Sequence, residues 1–315
     1  MKKILSLGPL FIILASFLWS LDGLLRRSLY VLPPLIIVFW EHFIGFILLL
    51  PLLLPNWKQI SAIKPKTWGA FTWVTLLSSI LGTILYTAAL GKIQYLQFSV
   101  IVLLQQLQPI FVVIFARLVL GERLEKRFWP ILIMALTGAY LVSFPELTPN
   151  LKTGSGTTIA ALMAIGAAFS WGSSTAFSRY ALLRLPSLTV TGLRFGLASL
   201  LGLLIIFMTG KTSQLYLLSS AQFLTLLTIT LSTGMVALAI YYYGLKRTPA
   251  RISSICELTW PLSAVLLDYF YFHRGLTLSQ WLGAALLTLS ITAVSRFKKS
   301  ADGGTRTHKP YGTRP

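Results

Sequence analysis

Glu41 and Arg194 are ionisable residues inside long apolar stretches, LPPLIIVFWEHFIGFILL and LPSLTVTGLRFGLASLLG. A charge in hydrocarbon costs at least roughly 2.5–3.5 kcal/mol on insertion scales, so charges retained there serve a pathway or a site. Arg194 would hold an anionic group or pair with Glu257, a third buried ionisable residue within SSICELTWPLSAVLL. Glu41 would bind a cation or carry a coupling proton, and Glu257 is the second candidate for proton coupling. Gln105 and Gln108 are three residues apart, as are Glu257 and Trp260, a spacing that puts each pair on one helical face. A proline follows each second member, Pro109 and Pro261. Its missing N–H and its ring free a carbonyl one turn back for a ligand, although a kink made for packing explains the same prolines equally well.

Further side chains extend this candidate binding set. Trp19 and Trp171 would line a cavity, whereas Trp57, Trp68, Trp129 and Trp281, near the ends of apolar runs, suit the interfacial belt. Tyr86, Tyr241 and Tyr242 carry hydroxyls able to bond a substrate. His42 points about 100° away from Glu41 along a helix and belongs to a different surface or to a proton relay. Asp22 and Asp268 lie near predicted span ends as vestibule charges, and Glu122 and Glu125 sit among cations as a solvated cluster. Gly82, Gly138, Gly172 and Gly196 suit close helix contacts. Cys256, the sole cysteine, reads as a small core hydrophobe and excludes a disulfide framework.

The elements that must position these groups are membrane spans. In 315 residues 55% are hydrophobic and 11% charged, too apolar for a soluble domain of this length. Ten segments reach the about 20 apolar residues that a crossing needs: near 6–26, 33–54, 69–90, 97–119, 128–145, 157–179, 187–208, 222–244, 250–272 and 277–296. The first is not a cleaved leader, since no small-residue cleavage site ends it. The net charge of +19 lies in short loops, where it orients a membrane protein rather than binding nucleic acid. Twenty Lys and Arg flank one side and six the other, namely Arg26, Arg27, Lys92, Lys152, Lys211 and Arg274. The richer side is predicted to be cytoplasmic, with both termini there, which requires an even number of spans.

Trp19 and Trp171, Arg27 and Arg179, Pro109 and Pro261, and Trp129 and Trp281 recur at an offset of 152 residues, with Pro33 and Pro186, and Glu41 and Arg194, at 153. Fixed-offset recurrence marks duplication. Five spans per half is an odd number, so the second copy enters the membrane inverted, and binding sites in such proteins lie near the midplane between the repeats. The expected organisation is a first five-helix repeat over 1–146, a linker over 147–156 within PELTPNLKTGSG, a second repeat over 157–297, and a disordered cytoplasmic tail over 298–315. At ~1.5 Å per residue, Glu41 and Arg194 differ by only about 6 Å in depth within a layer ~30 Å thick, Glu257 sits near Arg194's level and Gln105 near Glu41's.

The duplicated five-span unit, the first-span tryptophan, QQLQPIF followed by LGERL, and Gly138 in the fifth span resemble the EamA-type branch of the drug/metabolite transporter superfamily over residues 4–297. The resemblance implies a ten-helix, all-α membrane protein that carries a small metabolite, often outward, through a central cavity lined by both halves. Two positions depart from the family: Glu41 stands where an arginine is common, and Arg274 of HRGL corresponds to the Glu of LGERL. Catalytic motifs are lacking, including a Walker A loop, HExxH and GxSxG. The expected protein is a multi-pass transporter of the cell membrane, not an enzyme, without cofactor or metal. Its expected partners are a small polar or amphipathic substrate, membrane lipid and protons, and it works as a monomer or homodimer. An uncoupled facilitator, a lipid-intermediate flippase and a structural subunit are the other readings; the last leaves the buried unlike charges without a reason.

Overall fold

The structure, a computed structural model, describes residues 7–26, 29, 31–90, 104–144, 146–147, 157–270, 273 and 275–296. Arg27, the first part of the expected fourth span, linker residues 148–156, the Asp268 side chain, Arg274 and the tail lie outside the described residues.

Among the described residues the chain is helical: α1 Leu7–Arg26, α2 Pro34–Leu53, α3 Trp57–Ser61, α4 Pro65–Trp73, α5 Thr83–Leu90, α6 Gln108–Leu120 and α7 Phe128–Ser143 in the first half. The second half holds α8 Thr157–Leu182, α9 Ser187–Met208, α10 Ser220–Leu231, α11 Met235–Arg247, α12 Ala250–Cys256, α13 Thr259–Phe270 and α14 Leu278–Ser295. Six stretches are long and apolar enough to cross a bilayer, from Pro34–Ser61 to Leu278–Ser295, and Leu7–Asp22, Gln108–Leu120 and Phe128–Ser143 are shorter apolar helices. A chain built this way is a multi-pass membrane protein, since helices satisfy every backbone group within lipid.

Local chemistry sets the ends. Pro33 and Pro34 open α2, and Pro65, preceded by an extended Lys64, opens α4; proline at a first turn gives up no hydrogen bond. Ser219 with Gln222 and Thr277 with Gln280 form capping boxes on α10 and α14. Gly121, at φ 66°, closes α6 in the left-handed region that glycine enters freely.

Four spans expected to be continuous are interrupted. A π-helical segment, Val74–Gly82, joins α4 to α5. The eighth span breaks over Ser232–Gly234 between α10 and α11, and the ninth over Glu257–Leu258 between α12 and α13. Such breaks in hydrocarbon persist where they face protein or a cavity. The fourth span turns over Gln106–Leu107 just before α6, whose second residue is Pro109, so the proline starts a helix after a break rather than kinking a continuous one.

The packing repeats under exchange of the halves. The heaviest pairings join α7 with α14, α2 with α9, α1 with α11, and α6 with α8, followed by α8 with the π segment and α5, and α1 with α13. Swapping first-half and second-half spans maps this set onto itself, the pattern an internal two-fold axis produces. Gly45 receives the Phe195 ring from α9, while Gly196 receives Phe46 from α2, its added Cβ falling 2.7 Å from that ring. Backbones touch where α7 meets α14: a Cβ on Gly283 would lie 2.7 Å from the Gly138 carbonyl and 2.8 Å from the Val142 nitrogen. Backbone cannot yield as a side chain can, so Gly283→Ala should cost about 1–3 kcal/mol. Thermal unfolding in detergent checks this, with Gly69→Ala, which meets nothing within 4 Å, as the silent comparison.

Candidate functional site

The ninth-span break places Glu257 at the end of α12, and its carboxylate is held by neutral donors. Oε2 accepts from Gln108 Nε2 at 2.7 Å, and Oε1 accepts from the Tyr241 hydroxyl at 2.7 Å and Ser253 Oγ at 3.0 Å. Ser253 lies one turn before Glu257, a helical neighbour by spacing alone. Gln105 Nε2 donates to Gln108 Oε1 at 3.4 Å, so this pair shares a face, and Gln105 Oε1 is buried with no hydrogen-bond partner among the described residues. The Trp19 ring leans on Tyr241 with centroids 5.1 Å apart, and Trp260 Nε1 donates to the Trp19 carbonyl at 3.3 Å. A carboxyl group thus faces two amides and an aromatic wall drawn from both halves.

Arg194 is held by neutral acceptors. Nε donates to Ser79 Oγ at 2.9 Å, one terminal nitrogen to Ser78 Oγ at 2.8 Å and the other to the Tyr242 hydroxyl at 2.8 Å. The expected alternative of a pair with Glu257 does not form. The π segment brings Ser78 and Ser79 to the guanidinium instead, while Glu257 turns to Gln108 and Tyr241. Ser178 Oγ lies 3.0 Å from the Tyr242 hydroxyl. Trp171 Nε1 donates to the Ser78 carbonyl at 3.1 Å, and Tyr86 packs on Trp171 at 5.4 Å. Consecutive tyrosines therefore link the two charges, Tyr241 to the carboxylate and Tyr242 to the guanidinium, with ring centroids 5.9 Å apart.

Glu41 occupies a neighbouring cluster. Arg26, counted from sequence as a loop cation, donates to Glu41 Oε2 at 2.7 Å and also binds Asp22, which accepts from Thr233 Oγ1 at 2.6 Å. Arg26 reaches inward because its three-carbon stem lies along apolar surface while the head finds the carboxylates. Asp22 is accordingly a member of an ion network and not a free vestibule charge. Gly234 lets the carboxylate approach, since a Cβ there would lie 2.7 Å from Glu41 Oε1. His42 is 8% exposed, with Nδ1 2.8 Å from the Val38 carbonyl and its ring 4.7 Å from Phe195, a packed core histidine.

Glu122 overturns its reading as a solvated charge. It is 8% exposed, and it binds Arg179 at 3.2 Å and Arg251 at 3.5 Å. Its oxygens also accept from the backbone nitrogens of Ala250 and Arg251 at 2.8 and 3.3 Å, capping α12. Arg179 Nε donates to the Thr248 carbonyl at 2.7 Å. This clasp ties the end of α6 in the first half to α8 and α12 in the second. It lies on the cation-rich face, called the basic face below.

Sequence reasoning missed Ser78, Ser79, Ser253, Arg26 and Thr233. The one usable signal was Ser78-Ser79 followed by Gly82 in an apolar run.

The EamA-like transporter family matches the chain twice, over residues 6–144 and 158–296. A protein named riboflavin transporter ImpX, from Fusobacterium nucleatum, is 32% identical over 293 residues, covering 92% of this chain and 97% of its own length. A riboflavin transporter of Rhizobium johnstonii is 28% identical over 297 residues, covering 89% of this chain and 88% of its own. The pseudopaline exporter CntI of Pseudomonas aeruginosa is 26% identical over 174 residues, 55% of this chain and 57% of its own. A solved crystal structure superposes with a TM-score of 0.71 at 19% identity, covering 91% of this chain and 96% of that one, a likeness of fold.

Proposed function

The chain belongs to the EamA-like transporter family, and from that membership we propose that it moves a small amphipathic metabolite by proton-coupled alternating access between two inverted halves of ten spans. It is a small-molecule membrane transporter and not an enzyme. The observation that carries the mechanism is the pair of charges whose hydrogen-bond partners among the described residues are all neutral, Glu257 and Arg194, joined through Tyr241 and Tyr242. Elsewhere in the described spans Arg26, Arg179 and Arg251 each meet a carboxylate. A half-buried charge inside a span with no directly bonded counter-ion is costly, which favours a site that a substrate or a proton completes.

In this reading Glu257 exchanges the coupling proton, because Glu41 is already neutralised by Arg26. Arg194 holds the electron-rich end of the substrate, Gln105 and Gln108 bond its polar edge, and Trp19, Trp260, Trp171 and Tyr86 cover its flat surface. A planar heteroaromatic ring with a polar tail fits that chemistry, and riboflavin, the cargo named for two relatives, is the substrate to test first. The basic face is cytoplasmic, and substrate leaves the cell in exchange for protons.

Proteoliposomes with an imposed pH gradient test the reading. Wild-type protein should drive riboflavin against its gradient, whereas Glu257→Gln should lose the pH dependence and keep only downhill exchange. Riboflavin movement equal to that of empty vesicles removes the substrate, and proton-driven accumulation by Glu257→Gln removes the coupling role. Equal downhill flux in both proteins at every pH would identify an uncoupled facilitator.

A further inference from the structure

A lateral groove of about 290 Å³ opens at the basic-face ends of α1, α9 and α11, lined by Phe11, Ser187, Leu188, Ala239, Ile240 and Tyr243. Its wall is almost wholly apolar, with Phe11 set edge-on to Tyr243 at 4.6 Å. Leu188 is 46% exposed and Tyr243 38%, so the groove faces the surrounding bilayer. Cations stand at its rim. The Arg247 guanidinium lies 3.5 Å over the Tyr243 ring, and Lys246 Nζ donates to the Leu185 carbonyl at 2.7 Å, two residues before the start of α9. Among the described residues neither forms an ion pair, and the carboxylates of this face are engaged elsewhere, Glu122 by Arg179 and Arg251 and Glu125 by Arg127.

We propose that this groove binds an anionic phospholipid, one acyl chain on Phe11, Leu188 and Ile240 and the phosphate on Lys246 and Arg247. The apolar wall alone would accept any lipid chain. The unneutralised cations supply the selection, because a zwitterionic headgroup brings its own positive charge to the same rim. Lys246 has two donors beyond the one on Leu185, and the Arg247 fork suits phosphate. A basic pocket between spans on the cation-rich side is the setting in which acidic headgroups are captured.

The test uses the full chain purified in mixed micelles containing equal amounts of dioleoylphosphatidylglycerol and dioleoylphosphatidylcholine, with retained lipid counted by native mass spectrometry. Phosphatidylglycerol should be retained about thirtyfold over phosphatidylcholine, given what two cations contribute at a lipid surface. Lys246→Gln with Arg247→Gln should bring the two lipids to parity. Leu188→Trp, which fills the groove and leaves the charges alone, should lower retention of both. Arg123→Gln with Lys126→Gln, on the same face, should leave the preference intact. The proposal is overturned by absence of preference in the wild type, by equal loss in the Arg123 and Lys126 variant, or by indifference to Leu188→Trp. It is also overturned if the groove holds a second copy of the chain, seen as dimers that Leu188→Trp dissolves.

Discussion

Arg194→Lys should insert and fold yet lose transport by about a hundredfold, the scale on which removing one partner of a desolvated charged contact acts. The substitution keeps the charge and removes the fork. Three guanidinium nitrogens reach Ser79, Ser78 and Tyr242 at 2.8–2.9 Å, and a lysine ammonium on its flexible stem cannot span all three while presenting donors to a substrate. Wild-type flux in Arg194→Lys would show that charge alone suffices. The same residue tests the missing ion pair. Since Glu257 is bonded by Gln108, Tyr241 and Ser253, the stability losses of Arg194→Leu and Glu257→Leu should nearly add in the double variant. Rescue of folding in the double would mean that the two charges meet in another state of the cycle. A stable, fully active double variant would remove the binding role from both.

Much of the frame was legible because hydrophobicity and repetition act over long windows. The offset between Trp19 and Trp171 and between Pro109 and Pro261 marks the same duplication that the exchange-invariant packing expresses, and the three-residue spacing of Gln105 and Gln108 survives as a direct contact. The illegible parts are those that need a partner from elsewhere in the chain. Hydroxyls are common in spans, so the Ser78-Ser79 pair before Gly82 was only a weak signal, and its partner became visible when the π segment turned both toward Arg194. Counting charges by loop assigned Arg26 to water, although a long stem at a helix end can deliver its head to Glu41. Glu122 was misread for the same reason: a glutamate among arginines looks solvated in sequence, and whether it caps a helix depends on where Ala250 lies in space. The two backbone breaks of the second half differ in this respect. The one at Glu257–Leu258 has a signal in Pro261, whose missing N–H leaves the carbonyl four residues back without its helical partner. The one at Ser232–Gly234 contains no proline, and its only signal is the weaker one of three poor helix formers in a row, Ser232, Thr233 and Gly234.

Glu122→Ala should loosen the basic face and expose the single cysteine of the chain, Cys256, which is 0% accessible at the far end of the helix that Glu122 caps. In the clasped conformer the carboxylate satisfies two guanidiniums and two backbone N–H groups, and its loss takes a carboxylate partner from buried Arg179 and leaves buried Arg251 the longer contact with Glu125 at 3.9 Å. Breaking a buried pair from one side costs about 3–5 kcal/mol. In the proposed cycle, opening at this face separates the end of α6 from α8 and α12, so the cost falls on the closed conformer, and a differential of only about 1.4 kcal/mol raises the open population tenfold. N-ethylmaleimide should therefore modify Cys256 at least about tenfold faster in Glu122→Ala than in the wild type. Glu122→Gln keeps one oxygen for the Ala250 amide but puts an NH2 donor where the second oxygen accepted from Arg251, so its rate should fall between the two. Transport should decline in the same order, because a face that no longer closes interrupts the cycle. If instead Glu122→Ala unfolds at lower temperature while Cys256 stays as unreactive as before, the clasp is a static brace, and opening at this face occurs without separating Glu122 from α12.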